Sequence, residues 1–135
     1  MSNSNINIID SFKKSIESTV KAIAKDKDLS LIFGQKASTE KYNINLPDIS
    51  EKTYYSDKTI VRGESDSASL IKRFHNIEMH KIMKPANVES EKIFNKIEFL
   101  RCELIGSAQL PGVKKNLLQI GSNYYKILFV RILKK

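Results

Sequence analysis

DKTIVRGESDSASLIKRFHNIEMHKIM at residues 57–83, followed after Lys84-Pro85-Ala86-Asn87 by VESEKIFNKIEFLRCELIGS at residues 88–107, reads as two helices joined by a short connection. In the first, Ile60, Ser67, Leu70, Ile71, Phe74 and Ile77 fall within one stripe at ~100° per residue, and Pro85 follows its end. In the second, Ile93, Ile97, Leu100 and Leu104 form the apolar stripe, flanked by Phe94 and Ile105. Glu89 and Glu91 sit in its first turn, where the helix dipole favours acids, and Gly106 falls near its last. Pro111-Gly112 makes a turn beyond it. Two helices with so short a loop predict an antiparallel helix hairpin.

Upstream, Ile9 to Ala24 sets Phe12, Ile16, Val20 and Ile23 at helical spacing, with Asp10 or Ser11 to cap the start. Leu29 to Phe33 reads as a short strand ended by Gly34, and Tyr42 to Leu46 as a second, ended by Pro47. The two strands are expected to pair as a small hairpin. Downstream, Ile120 to Leu133 crowds apolar and basic residues and reads equally as a strand or a short helix. The expected fold is mainly α, a small α+β arrangement of three helices and one two-stranded hairpin. Residues 1–118 form the helical domain, and 119–135 form a basic, hydrophobic tail.

A chain of 135 residues suits one domain, burying roughly two-thirds of the surface its unfolded form exposes. No apolar run approaches the ~20 residues needed to cross a bilayer. The polar, uncharged start lacks the pattern of a secretory signal, so a cytoplasmic location is expected. The single cysteine, Cys102, cannot form an intrachain disulfide and has no zinc-ligand spacing around it; it is expected to be an inert, buried helix residue. The net charge of +8 is not spread as a basic face. Six of the 23 bases lie between Val113 and Lys135, where there is no acid, leaving 17 bases against 15 acids in the rest. Binding to nucleic acid needs clustered cations, so none is expected of the near-neutral body.

Three constellations stand out. Arg101 lies in the apolar stripe of one helix and Glu64 beside Ile71 in that of the other. A charge on a packing face needs a partner, because burying it alone costs several kcal/mol, and an interhelical Glu64–Arg101 ion pair is one solution. The other is an Arg101 stem laid along the core with its guanidinium reaching water or Glu98. On the opposite side of residues 57–83, Arg62, Asp66, Ser69, Arg73 and His80 make a polar stripe, either a solvated face or a docking surface for a partner. His75 and His80, five apart, point about 140° away from each other on a continuous helix and so share no metal. Phosphate loops, nucleophile elbows and paired catalytic carboxylates are missing from the sequence, which shows no active site.

The run Arg62-Gly63-Glu64-Ser65-Asp66-Ser67-Ala68, then Arg73-Phe74-His75, then Glu98 to Gly106, then Pro111-Gly112-Val113-Lys114-Lys115-Asn116-Leu117 resembles, in order and spacing, the amino-terminal region of the CobT family. The likeness covers roughly residues 10–118. Members of that family are subunits of the aerobic, ATP-dependent cobaltochelatase of cobalamin synthesis. The matching positions are Arg62, Gly63, Asp66, Arg73, His75, Glu98, Arg101, Glu103, Gly106, Gly112, Asn116 and Leu117. The resemblance implies a non-catalytic subunit working with an AAA+ ATPase partner and, through it, a large corrin-binding subunit. ATP, magnesium and cobalt are then used by the complex, and this chain holds no cofactor or metal itself. The family's acidic linker and von Willebrand A-type domain have no counterpart here, so the tail reads as a frameshifted or truncated end, or as a natural extension that adds a strand or a membrane-facing patch. The competing function is a small basic protein that binds nucleic acid or anionic lipid through Lys114 to Lys135.

Overall fold

The computed structural model describes residues 2–121. They run α1 (Ser2–Ala24), β1 (Ser30–Phe33), β2 (Ser38–Thr39), β3 (Asn43–Leu46), α2 (Tyr54–Phe74), α3 (Ile77–Met83), α4 (Val88–Gln109) and α5 (Pro111–Ile120), a mainly α fold with a small sheet. The expected tail from residue 122 onward lies outside the described residues.

Helix α1 buries the stripe its spacing predicts: Phe12, Ile16, Val20 and Ile23 are all in the core. It ends in a Schellman turn, with Asp26 N–H donating to Lys21 O at 3.1 Å and Lys25 N–H to Ala22 O at 3.4 Å. Lys25 takes the left-handed position of that turn, at φ 54°, where glycine is the usual residue.

The strands pair differently from the expected hairpin. β1 lies parallel to β3, with Leu31 opposite Ile44 and Phe33 opposite Leu46, while β2 takes the other side of β3 antiparallel, giving the order β1-β3-β2. The reason lies in residues 34–42. Gly34, at φ +101°, turns the chain out of β1, and the segment carries its own two-residue strand, which enters β3 through a tight turn and takes the antiparallel edge. Ile44 and Leu46 then join Leu29, Ile49 and Phe12, Ile16 and Val20 of α1 in one core cluster with Val61 and Ala68 of α2.

The helix expected over residues 57–83 is two helices. α2 stops at Phe74, His75 is extended at φ −77° and ψ 130°, and Asn76 caps α3 by accepting from Met79 N–H at 3.0 Å. Asn87 opens α4 in the same way, accepting from Glu89 and Ser90 N–H. Pro111, expected in a turn, occupies the first position of α5, where its missing N–H costs nothing. The antiparallel relation of the two long helices survives the break: His75 meets Glu98 and Ser67 meets Glu103, so α4 runs back along α2.

Helix α2 is surrounded by α1, α4, α5 and the sheet. Close approach on several sides requires small residues, and its buried positions include Gly63, Ser65, Ala68 and Ser69 beside Val61 and Leu70. The hydroxyls of Ser65 and Ser69 are satisfied within the helix by Arg62 O and Ser65 O at 2.8 and 2.6 Å. At Gly63 a side chain would run into Ile120 and come 2.9 Å from the Asn116 carbonyl; at Gly106 of α4 it would run into Leu70. These two glycines set how closely α5 and α4 pack on α2.

Candidate functional site

The densest polar cluster lies where α2 ends over α4. Glu98 is held by Arg101, whose Nε donates to Oε2 and Nη2 to Oε1, both at 2.8 Å. Nη2 also donates to Phe74 O at 3.1 Å, satisfying a carbonyl at the C-terminus of α2, where a cation is favoured. Arg101 thereby ties the two helices together without Glu64. The expected Glu64–Arg101 pair does not form, because Glu98 lies three residues away on the same face and the guanidinium reaches it while remaining half-exposed. Arg101 holds the Glu98 carboxyl down to about 2, assisted by the bond from His75.

His75 Nδ1 lies 3.0 Å from Glu98 Oε1, and its ring centroid is 4.8 Å from that of His80. On an unbroken helix these rings would diverge; the extended His75 folds α3 back and brings them edge to face. His80 Nε2 lies 2.7 Å from Asn95 Oδ1 and its ring stacks on Phe94 at 4.7 Å. Each histidine is thus bonded to α4. Among the described residues no three His, Cys, Asp or Glu side chains gather as a metal-ligand set. Cys102 is fully buried, and that burial, with the nearby Glu98 charge, pushes its thiol up to about 11, the wrong direction for a nucleophile.

The polar stripe of α2 is covered rather than free. Asp66, a candidate surface contact, is 1% exposed: Oδ2 accepts from Asn116 Nδ2 at 2.7 Å and Oδ1 is buried with no partner among the described residues. Burial raises its carboxyl, opposed by the Asn116 bond and the Arg62 charge. What covers Asp66 is α5, where the sequence predicts only a turn at Pro111-Gly112. Arg62 lies over the Phe12 ring at 5.4 Å, and Arg73 lies over Phe74 at 4.9 Å with Nη1 3.5 Å from Ile23 O near the end of α1. Together with His80 they hold neighbouring elements in place.

Two features were not legible from the sequence. Glu64 Oε2 is buried with no partner among the described residues, burial raising its carboxyl, and the residue lines a cleft of about 1090 Å³ with Thr39, Ser67, Ile71, Phe74 and His75. The second is a face of α4. Three of the four residues of the expected core stripe point outward: Ile93, Ile97 and Leu104 are 61%, 61% and 60% exposed, while Leu100 is partly buried and Cys102 and Gly106 turn inward. On α3, Ile82 and Met83 are exposed as well.

The described residues form a mainly helical domain with a small sheet, and its polar side chains bond one helix to the next. The profile of the family described as cobalamin biosynthesis protein CobT matches residues 7–127, and the chain belongs to that family. The match runs past Leu118, where the likeness read from motifs ends, and takes in all of α5. No solved structure matches the chain. Membership associates the protein with cobalamin biosynthesis. The positions that carried the resemblance are largely those of the interhelical seams: Gly63 and Asp66 with Asn116, His75 with Glu98 and Arg101, Glu103 with Ser67, and Gly106 with Leu70. No helix among the described residues is long and apolar enough to cross a membrane.

Proposed function

We propose that this chain is a non-catalytic interaction module of the ATP-dependent complex that inserts cobalt into the corrin ring, docking on an AAA+ ATPase subunit and, through it, serving the large corrin-binding subunit. In this reading cobalt is the cargo of the reaction, and ATP and magnesium are handled by the partner. The observation that carries it is the outward apolar stripe of α4. Ile93, Ile97 and Leu104 are each some 60% exposed on the side opposite Cys102 and Gly106. Scattered exposed apolar residues are ordinary, but an aligned row on one helix face is the form in which helices dock into partner grooves. Arg62, Arg73 and His80 serve the same reading as supports, since they hold α1, α2 and α4 in register.

The test is capture of the ATPase subunit by the intact chain and by Ile97→Glu and Leu104→Glu variants. Exposed positions away from packing change stability by about ±0.5 kcal/mol or less, so the variants should melt like the parent while capture falls at least tenfold. Unchanged capture by both variants overturns the reading. A second reading, a basic protein for nucleic acid or anionic lipid, is favoured by the acid-free stretch from Val113, within which Lys114 and Lys115 are exposed on α5. It requires DNA or vesicle affinity that falls steeply with salt, with no capture of the ATPase subunit.

A further inference from the structure

We propose that α3 is a flap that opens from α4 by local unfolding and thereby controls access to the apolar row of that helix. The opening stands on α3 alone; the control of access rests on the docking role proposed above for α4. Six of the seven residues of α3 are exposed and none is buried, His80 alone being half-buried. A helix standing alone in water is marginal below about 12–15 residues, so one of seven persists only while something holds it. Its hold is His80, with Nε2 2.7 Å from Asn95 Oδ1 and its ring stacked on Phe94 at 4.7 Å. The ion pair of Lys84 with Glu91, at 3.3 Å, is half-exposed and adds little.

Apolar burial does not fasten α3. Met79, Ile82 and Met83, at positions i, i+3 and i+4 of one face, are 51%, 78% and 62% exposed. The helix thus turns an imidazole to the protein and its apolar side to water, the reverse of the usual order. Both of its ends are bends. His75 is extended at φ −77° and ψ 130°, and Lys84 at φ −63° and ψ 138° precedes Pro85, which disfavours helix at the residue before it. α3 can therefore swing without unwinding α2 or α4, while His75 stays on α4 through Glu98.

Opening uncovers the ring of Phe94. At 100° per residue Phe94 lies about 60° round α4 from Ile97, so it borders the outward row of Ile93, Ile97 and Leu104. With α3 seated, the ring is covered by His80 and the flank of the row is occupied. With α3 lifted, the row gains an aromatic face, the kind of side chain that anchors interfaces, and its flank is clear for the walls of a partner's groove. A partner that uses the open form binds with an affinity reduced by the fraction of molecules that are open.

The experiment is amide hydrogen exchange on the full chain, paired with capture of the ATPase subunit. One hydrogen bond and one ring stack protect by about a hundredfold at most, so amides 80–84 should exchange within that factor of free-peptide rates and ignore low urea. Amides 65–70 of α2 should be protected more than about a thousandfold and lose protection as urea rises. Asn95→Ala removes the acceptor for His80 and leaves α4 a good helix former; it should speed exchange at 80–84 about tenfold, leave 65–70 unchanged and raise capture at least threefold. Phe94→Ala frees α3 but deletes the ring, so the same amides should speed with no gain in capture. Protection and urea dependence at 80–84 equal to those of α2 overturn the flap. Faster exchange in Asn95→Ala without better capture, or an equal gain in Phe94→Ala, overturns the control of access. A parent that captures no ATPase subunit overturns the docking role instead, and the exchange result still decides whether α3 opens.

Discussion

Replacing Gly106 with alanine drives a methyl group into Leu70: the new Cβ would lie 2.5 Å from Cδ1 and 2.8 Å from Cγ, with Cδ2 nearer still. Leu70 is fully buried in the cluster of Ile23, Val113 and Leu117, so it cannot swing into solvent as an exposed side chain would. Overpacking of this kind costs about 1–3 kcal/mol. Alanine's helix propensity works in the other direction by about 1 kcal/mol, leaving a net loss on the order of 1 kcal/mol. Leu70→Ala alone should cost about 2–5 kcal/mol through the cavity it opens. In that background the added methyl enters vacated space, and Gly106→Ala should become a gain of about 1 kcal/mol, a coupling near 2 kcal/mol between the two sites. Urea unfolding of the four proteins, followed by circular dichroism, closes the cycle. If Gly106→Ala changes stability by the same amount with and without the leucine side chain, the close approach of α4 to α2 is not what requires glycine there.

The remaining expectations concern single groups. The Glu98 carboxyl is at about 2 in the fold against 4.5 ordinarily, a depressed value, so its contribution is present above about pH 4.5 and lost as pH falls toward 2. Glu64 and Asp66 are shifted up and act in the opposite sense, disfavouring the fold as pH rises through their ionisation. The Glu98 effect is therefore read as the difference in acid unfolding between parent and Glu98→Gln, which should narrow below pH 4. Asp66→Asn keeps an acceptor for Asn116 and removes a poorly solvated charge, so it should be neutral or stabilising at pH 7, whereas Asp66→Ala should cost about 1–3 kcal/mol by stranding Asn116. Both are measured by thermal melts, and equal loss in the two variants would refute the account. Lys25→Gly relieves a left-handed lysine and should raise stability by about 1 kcal/mol in urea unfolding.

Much of the frame was legible because periodicity reports local structure directly. The α1 stripe, the start of α4 at Val88 and the positions of β1 and β3 follow from spacing and from Gly34, Pro47 and Pro85. Three things were not. The apolar rhythm runs on through Ile77 and masks the break at His75, although Asn76 is a good capping residue and marks it. The inward side of α4 was misassigned because Ile93, Ile97 and Leu104 are more apolar than Cys102 and Gly106, yet the closeness of α2 selects the small residues. Asp66 reads as a surface residue until α5 is recognised as a helix that lies over it. For the site, the Arg101–Glu98 pair is one of the two readings the sequence leaves open, because it is local to one helix, whereas the bond from Arg101 to Phe74 O and the buried oxygen of Glu64 are tertiary facts.

Enclosure of α2 by both earlier and later parts of the chain constrains how the protein matures. On a ribosome, α1 and the sheet emerge first and can shelter only one flank of α2; the flank holding Gly63 and Asp66 stays wet until Asn116 and Ile120 have left the exit tunnel. Synthesis must therefore pass the last turn of α5 before the domain locks, and any premature stop ahead of that point releases a product with a polar, glycine-notched helix flank laid open to chaperones and proteases.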